Sequence, residues 1–186
     1  MPTTQRDPAK YRRIPETAIK IALPNVTQMT DYTCGAAALH AICAYFGVGP
    51  EDERAFETEM AMPLTGADPI HITTAATRFG LEVEEHRPMT IAQLEKCLDA
   101  GRPVILMLQA WGEGHYVVAV GYDDEAVYVE DPWIEGSRGF IERGELDARW
   151  HDVEGDDNHR TERLGIAIWM EPPATLGYAR SARHVD

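Results

Sequence analysis

Long apolar runs are missing from this chain. No stretch approaches the roughly 18 residues that a membrane-crossing helix needs, and Met1 to Arg13 contains no apolar segment of the secretory kind. Both absences lead to the expectation of a cytoplasmic protein without a membrane span. Cysteine is scarce: there are three, an odd number without disulfide-framework spacing, which suits a reducing compartment. Basic residues are few, 17 against 31 acids, for a formal charge of −14. That balance argues against nucleic acid as a partner, whose phosphates it would repel. Internal repeats and low-complexity tracts are absent, and so is a phosphate-cradling loop. Gly112 and Gly114 flank an acid and precede a strand, not a helix.

What is present suits one domain with a core of its own, since 44% of 186 residues are hydrophobic. Residues 1–20 hold three prolines and mixed charge and read as an N-terminal arm. The domain is expected over 21–171, with a tail over 172–186. Ile19 to Leu23 reads as a short edge strand stopped by Pro24. Cys34 opens a helix that Thr33 or Asp31 can cap and Gly47 ends, with Leu39, Ile42, Cys43 and Phe46 at helical spacing. Further helices are expected over 51–60, 68–79 and 90–100, with a strand over 81–86. Pro103 to Gln109 is an apolar run of central-strand character. His115–Tyr122 and Ala126–Asp131 form a hairpin joined by Asp123-Asp124-Glu125. A short strand over 138–141, a helical turn over 142–150, a polar loop over 151–163 and a strand over 164–170 complete the pattern. Helices first and antiparallel strands after make the fold α+β.

The chemistry centres on Cys34. In the first turn of a helix, unpaired N–H groups and the positive end of the dipole favour a thiolate. Cys43 and Cys97 read as packing. A cysteine nucleophile needs a base within reach and a third group to orient it. Of the seven histidines, His115 alone follows a flexible loop, Trp111-Gly112-Glu113-Gly114, and begins an otherwise apolar strand. Its partner strand ends at Asp131. A three-residue hairpin loop brings Asp131 onto the face of His115; a two-residue loop puts the two on opposite faces. Gln28, in the approach to Cys34, can stabilise an oxyanion together with the Cys34 N–H. Trp111, Gly114 and Trp133 are the expected substrate contacts.

The order Gln28…Cys34-Gly35 at a helix start, Gly114-His115-Tyr-Val-Val opening a strand, and Asp131-Pro-Trp ending the next resembles the C39 cysteine peptidases. The likeness covers roughly residues 24–150. It implies a papain-like fold and peptide-bond hydrolysis, with Cys34 as nucleophile, His115 as base and acid, Asp131 as orienter and Gln28 in the oxyanion hole. It implies a peptide or protein substrate. The best-known relatives clip double-glycine leaders and are fused to a transporter, which this sequence does not contain; an accessory or transporter partner is therefore expected from another chain. Those relatives carry an acid before the cysteine, where this chain has Thr33.

Other readings compete. A peptide-binding module of the same fold that no longer hydrolyses anything is one, and isopeptide or other acyl transfer is another. Asp156-Asp157-Asn158-His159, and His40 with Cys43, have ligand-like spacing, but neither has the second pair that zinc requires. No metal and no cofactor is expected.

Overall fold

The computed structural model describes residues 11–136, 138–154 and 159–171. The tail expected over 172–186, the first half of the arm and Asp156 to Asn158 lie outside the described residues. Helix α1 (Cys34–Phe46) is followed by α2 (Glu53–Glu59), α3 (Pro69–Arg78), strand β1 (Glu82–His86) and α4 (Ile91–Asp99). The second half runs β2 (Val104–Ala110), β3 (Glu113–Tyr122), β4 (Ala126–Glu130), β5 (Gly139–Glu142), α5 (Arg143–Arg149), β6 (His151–Glu154), β7 (His159–Glu162) and β8 (Gly165–Trp169). Six strands form one sheet in the order β1-β8-β2-β3-β4-β5, antiparallel throughout. The mixed architecture of helices packed on an antiparallel sheet is as expected.

Helix α1 is the buried centre rather than an element with one buried face. Ala36, Ala37, Ala38, Leu39, Ala41, Ile42 and Cys43 are all fully covered. Small side chains permit this, because α1 packs at once on β3, α2 and α3. Gly47 ends the helix in the left-handed conformation, φ 71°. Strands β2 and β3 are buried residue after residue, so both faces of the central sheet are covered.

Four local expectations need correction. Residues 151–163 are not a loop: β6 and β7 pair as a separate two-stranded ribbon. Their polar residues give no apolar alternation to reveal it. Ile19–Leu23 makes only a single bridge, Ile19 to Gly121, although Ile21 and Leu23 are buried. Thr33 is the N-cap of α1 but makes no side-chain cap bond, because its hydroxyl turns back to Thr30. Finally, Trp111–Gly114 is not a flexible loop. Ala110 pairs with Glu113, leaving Trp111 and Gly112 as a two-residue turn with φ of 57° and 94°. Positive φ at both positions is the primed-turn geometry that matches the twist of the flanking strands.

Candidate active site

The β3–β4 hairpin decides whether His115 and Asp131 can meet. Asp123 and Ala126 close the turn, the Asp123 N–H donating to the Ala126 carbonyl at 3.0 Å, so the loop is the two-residue Asp124-Glu125. Continued unbroken, that register would put Asp131 and His115 on opposite faces. A β-bulge intervenes. Tyr122 pairs with Val127 and Gly121 with Tyr128, but Ala119 pairs with Val129 and Val118 with Glu130, leaving Val120 as the extra residue. The slip restores the register in which Asp131 shares a face with His115.

The segment before α1 holds the bulge in place. The Val120 carbonyl accepts from the N–H groups of Lys20 at 2.9 Å and Ile21 at 3.0 Å, and the Tyr122 N–H donates to Ala18 at 2.8 Å. Gly121 lets the backbones approach this closely, since a Cβ there would run into the Ala18 carbonyl. Residues 18–21, expected within or beside an arm, thus fix the site's register.

With that register set, His115 Nε2 lies 2.7 Å from Asp131 Oδ1, and both residues are buried. Cys34 stands near enough to His115 to act on its charge. Burial alone would push the imidazolium down; its hydrogen bond to the Asp131 carboxylate, and after that the influence of Cys34, outweigh it and raise His115 to about 9. The carboxylate is itself braced: the Trp133 N–H donates to Oδ1 at 2.9 Å and the Trp111 indole to Oδ2 at 3.2 Å. Both indoles remain well exposed, Trp111 at 59% and Trp133 at 46%.

Cys34 begins α1, whose first-turn N–H groups receive no side-chain cap. Gly35 brings this helix tip close to its neighbours: a Cβ there would stand 2.9 Å from Ala67 Cβ and 3.3 Å from Tyr116, the residue after His115. The other thiols differ. Burial pushes Cys43 up to about 12, and burial followed by the Glu84 charge raises Cys97, so both are held as thiols.

Gln28 bridges the two halves of the site. Its backbone N–H donates to Pro132, next to Asp131, at 2.9 Å, and its side-chain Nε2 donates to the Thr30 carbonyl at 2.7 Å. An amide nitrogen carries two hydrogens, so one remains for another acceptor. A cleft of about 430 Å³ opens beside Cys34, bounded by residues 63–68 and by Gly114, Tyr116 and Asp152. Gly114 therefore lines it; Trp111 and Trp133 gather instead at Asp131.

Sequence reasoning missed the polar cluster behind this arrangement. Glu130, fully buried, accepts from Asn25 Nδ2 at 2.6 Å and the Val26 N–H at 3.0 Å, and pairs with Arg138. Burial pushes its carboxyl up against the pull of those three partners. Asn25 also donates to Ile134 at 3.1 Å and accepts from the Gly136 N–H at 2.7 Å, while Arg138 reaches the Leu23 carbonyl. Glu53, also buried, accepts the Met29 N–H at 2.9 Å. A signal existed for Glu130, a carboxylate in an otherwise apolar strand; nothing local marked Asn25 or Glu53.

A cysteine at the tip of a buried helix, facing a histidine on an antiparallel sheet, is the architecture of the papain-like cysteine peptidases. Comparison with known proteins narrows the class: the chain belongs to the Peptidase_C39 like family, whose model matches residues 20–156. The probable functional amyloid protease FapD of Pseudomonas aeruginosa is 33% identical over 123 residues, 61% of this chain and 51% of its own length. The chain thus spans about half the length of that curated relative. A double glycine motif protease from an AMS/PCAT transporter, solved with its leader peptide, is 21% identical, with a TM-score of 0.62 over 84% of this chain and 96% of that one. The peptidase domain of Streptococcus ComA, a bi-functional ABC transporter of a quorum-sensing pathway, is 14% identical, with a TM-score of 0.60 over 84% and 100%. At these identities the two structures speak for the fold. Among the described residues, no helix is long and apolar enough to cross a membrane.

Proposed function

We propose that this chain hydrolyses peptide bonds with Cys34 as nucleophile, His115 as base and then acid, Asp131 as orienter and Gln28 in the oxyanion hole. The carrying observation is the buried His115–Asp131 pair, Nε2 to Oδ1 at 2.7 Å, with Cys34 at the tip of α1 near enough to raise the imidazolium further. Asp131 holds the ring by its Nε2–H, which leaves the other ring nitrogen to Cys34. The thiolate attacks the peptide carbonyl carbon, and the amine departs with the proton from His115. Water, deprotonated by His115, then attacks the thioester, and the acid product leaves as the thiol is restored. Negative charge on the carbonyl oxygen meets the remaining Gln28 N–H and the uncapped N–H groups at the start of α1.

The domain that acts is taken as residues 21–171, and Trp111, Gly114 and Trp133 as substrate contacts. Three free cysteines suit residence in a reducing, cytoplasmic compartment. The substrate is a peptide or protein, brought by a partner chain such as a transporter. Profiling a peptide library with the purified protein tests the proposal. Cleavage at defined sites is expected, and it disappears in Cys34→Ala and His115→Ala. Cleavage that survives Cys34→Ala contradicts it.

A further inference from the structure

We propose that the cleft beside Cys34 takes a basic side chain of the substrate peptide, with Asp152 as the carboxylate that meets it. The inference rests on the reading of Cys34 as nucleophile and names the substrate class for that site. Asp152, on β6, lines the cleft and is only 8% exposed. Its carboxylate has about four lone-pair positions but, among the described residues, takes one side-chain hydrogen bond, from the neutral Gln109 Nε2 to Oδ1 at 3.1 Å. Among the described residues no Lys, Arg or His pairs with it. Buried carboxylates are ordinarily paired, so this one is short of a cationic partner.

Its position relates it to the chemistry. A Cβ on Gly114 would run into Asp152 Oδ1, so the missing side chain is what admits the carboxylate. Gly114 directly precedes His115. At the rim, Asp31, Asp68 and Glu113 add exposed negative charge, and among the described residues no basic one lines the cleft. Near Asp68, His71 Nδ1 accepts the Asp68 backbone N–H at 2.9 Å and so offers its carboxylate no donor there. A cation entering the cleft therefore meets attraction from the rim to Asp152. Met107 and Tyr116 give apolar wall for the stem of a lysine or arginine. An acidic side chain would be left facing Asp152 unpaired, which selects against it.

The test labels Cys34 with two methanethiosulfonates of one size, a cationic trimethylammonium-ethyl and an anionic sulfonato-ethyl reagent, and uses Cys97 as internal reference. Site-resolved mass spectrometry gives the cation-to-anion rate ratio at each thiol. The ratio at Cys34 is expected to exceed that at Cys97 by roughly tenfold, the lower end of field focusing in a charged cleft. Asp152→Asn lowers it several-fold, and Glu113→Gln, an exposed rim change that leaves packing alone, lowers it by less. Equal ratios at the two thiols, or a Cys34 ratio unmoved by both substitutions, overturns the proposal. The enzymatic reading fails separately, by a slow reaction of Cys34 with neutral iodoacetamide. In peptide profiling, lysine or arginine is expected beside the cut bond; acidic residues there would also overturn the proposal.

Discussion

Asp131 accepts three hydrogen bonds, from His115, the Trp133 N–H and the Trp111 indole, and its hold on His115 keeps the imidazole charged. The sign of the resulting pH dependence is fixed by the chemistry. In the proposed mechanism His115 carries a proton to release the amine, and it loses that proton as pH rises through about 9. Peptide hydrolysis is therefore expected to fall on an alkaline limb near pH 9. In Asp131→Asn the strongest raising influence is gone, so the limb moves to lower pH and the maximal rate drops by about tenfold or more. A pH profile of kcat/KM for both proteins checks this, and an unmoved limb contradicts it. At this scale the roles proposed for Cys34, His115, Asp131 and Gln28 could be argued from telling junctions: a helix start, a strand start, a strand end and an approach loop. The links among Asn25, Glu130 and Arg138 could not be, although Glu130 stood out in its apolar strand, since the Asn25–Glu130 and Arg138–Leu23 contacts join residues more than a hundred positions apart.

Among the elements, the β3–β4 hairpin is where sequence and structure part most instructively. Both strands could be read from their apolar runs, and the face shared by His115 and Asp131 could be inferred from a three-residue loop. The loop has two residues, and the Val120 bulge supplies the compensating shift. A bulge held by backbone bonds to residues 18–21 leaves no mark in side-chain periodicity. The β6–β7 ribbon escaped for a related reason, because its residues are polar on both faces. Gly121→Ala tests the role of the bulge. The new methyl meets the Ala18 carbonyl, and a loss of about 2 to 3 kcal/mol is expected from overpacking. Urea unfolding measures that loss. The folded protein is expected to lose the reactivity of Cys34 as well, through the slipped register; a destabilised variant with a fully reactive Cys34 would contradict this.

For the whole molecule, the α+β plan and the helix order were legible from caps, glycine stops and hydrophobic spacing. How the chain's two ends of the site are joined was not. Arg138 ties the Leu23 carbonyl to buried Glu130, linking the approach to α1 with the end of β4. Arg138→Met leaves Glu130 buried without its cation, and a cost of about 3 kcal/mol at neutral pH is expected. Burial already raises the Glu130 carboxyl. The cost should shrink on acidification, as the carboxyl takes up a proton and no longer needs a counter-charge. Urea denaturation at neutral and acid pH measures it, and a cost that grows on acidification contradicts the assignment.

The central claim is that one of three thiols has been made a nucleophile by its neighbours. Time-resolved iodoacetamide labelling near neutral pH, read thiol by thiol, tests it most directly. Cys34 is expected to react at least about tenfold faster than Cys43 and Cys97, with the advantage lost in His115→Ala. Equal rates at all three thiols, or a Cys34 rate indifferent to His115, would contradict the account.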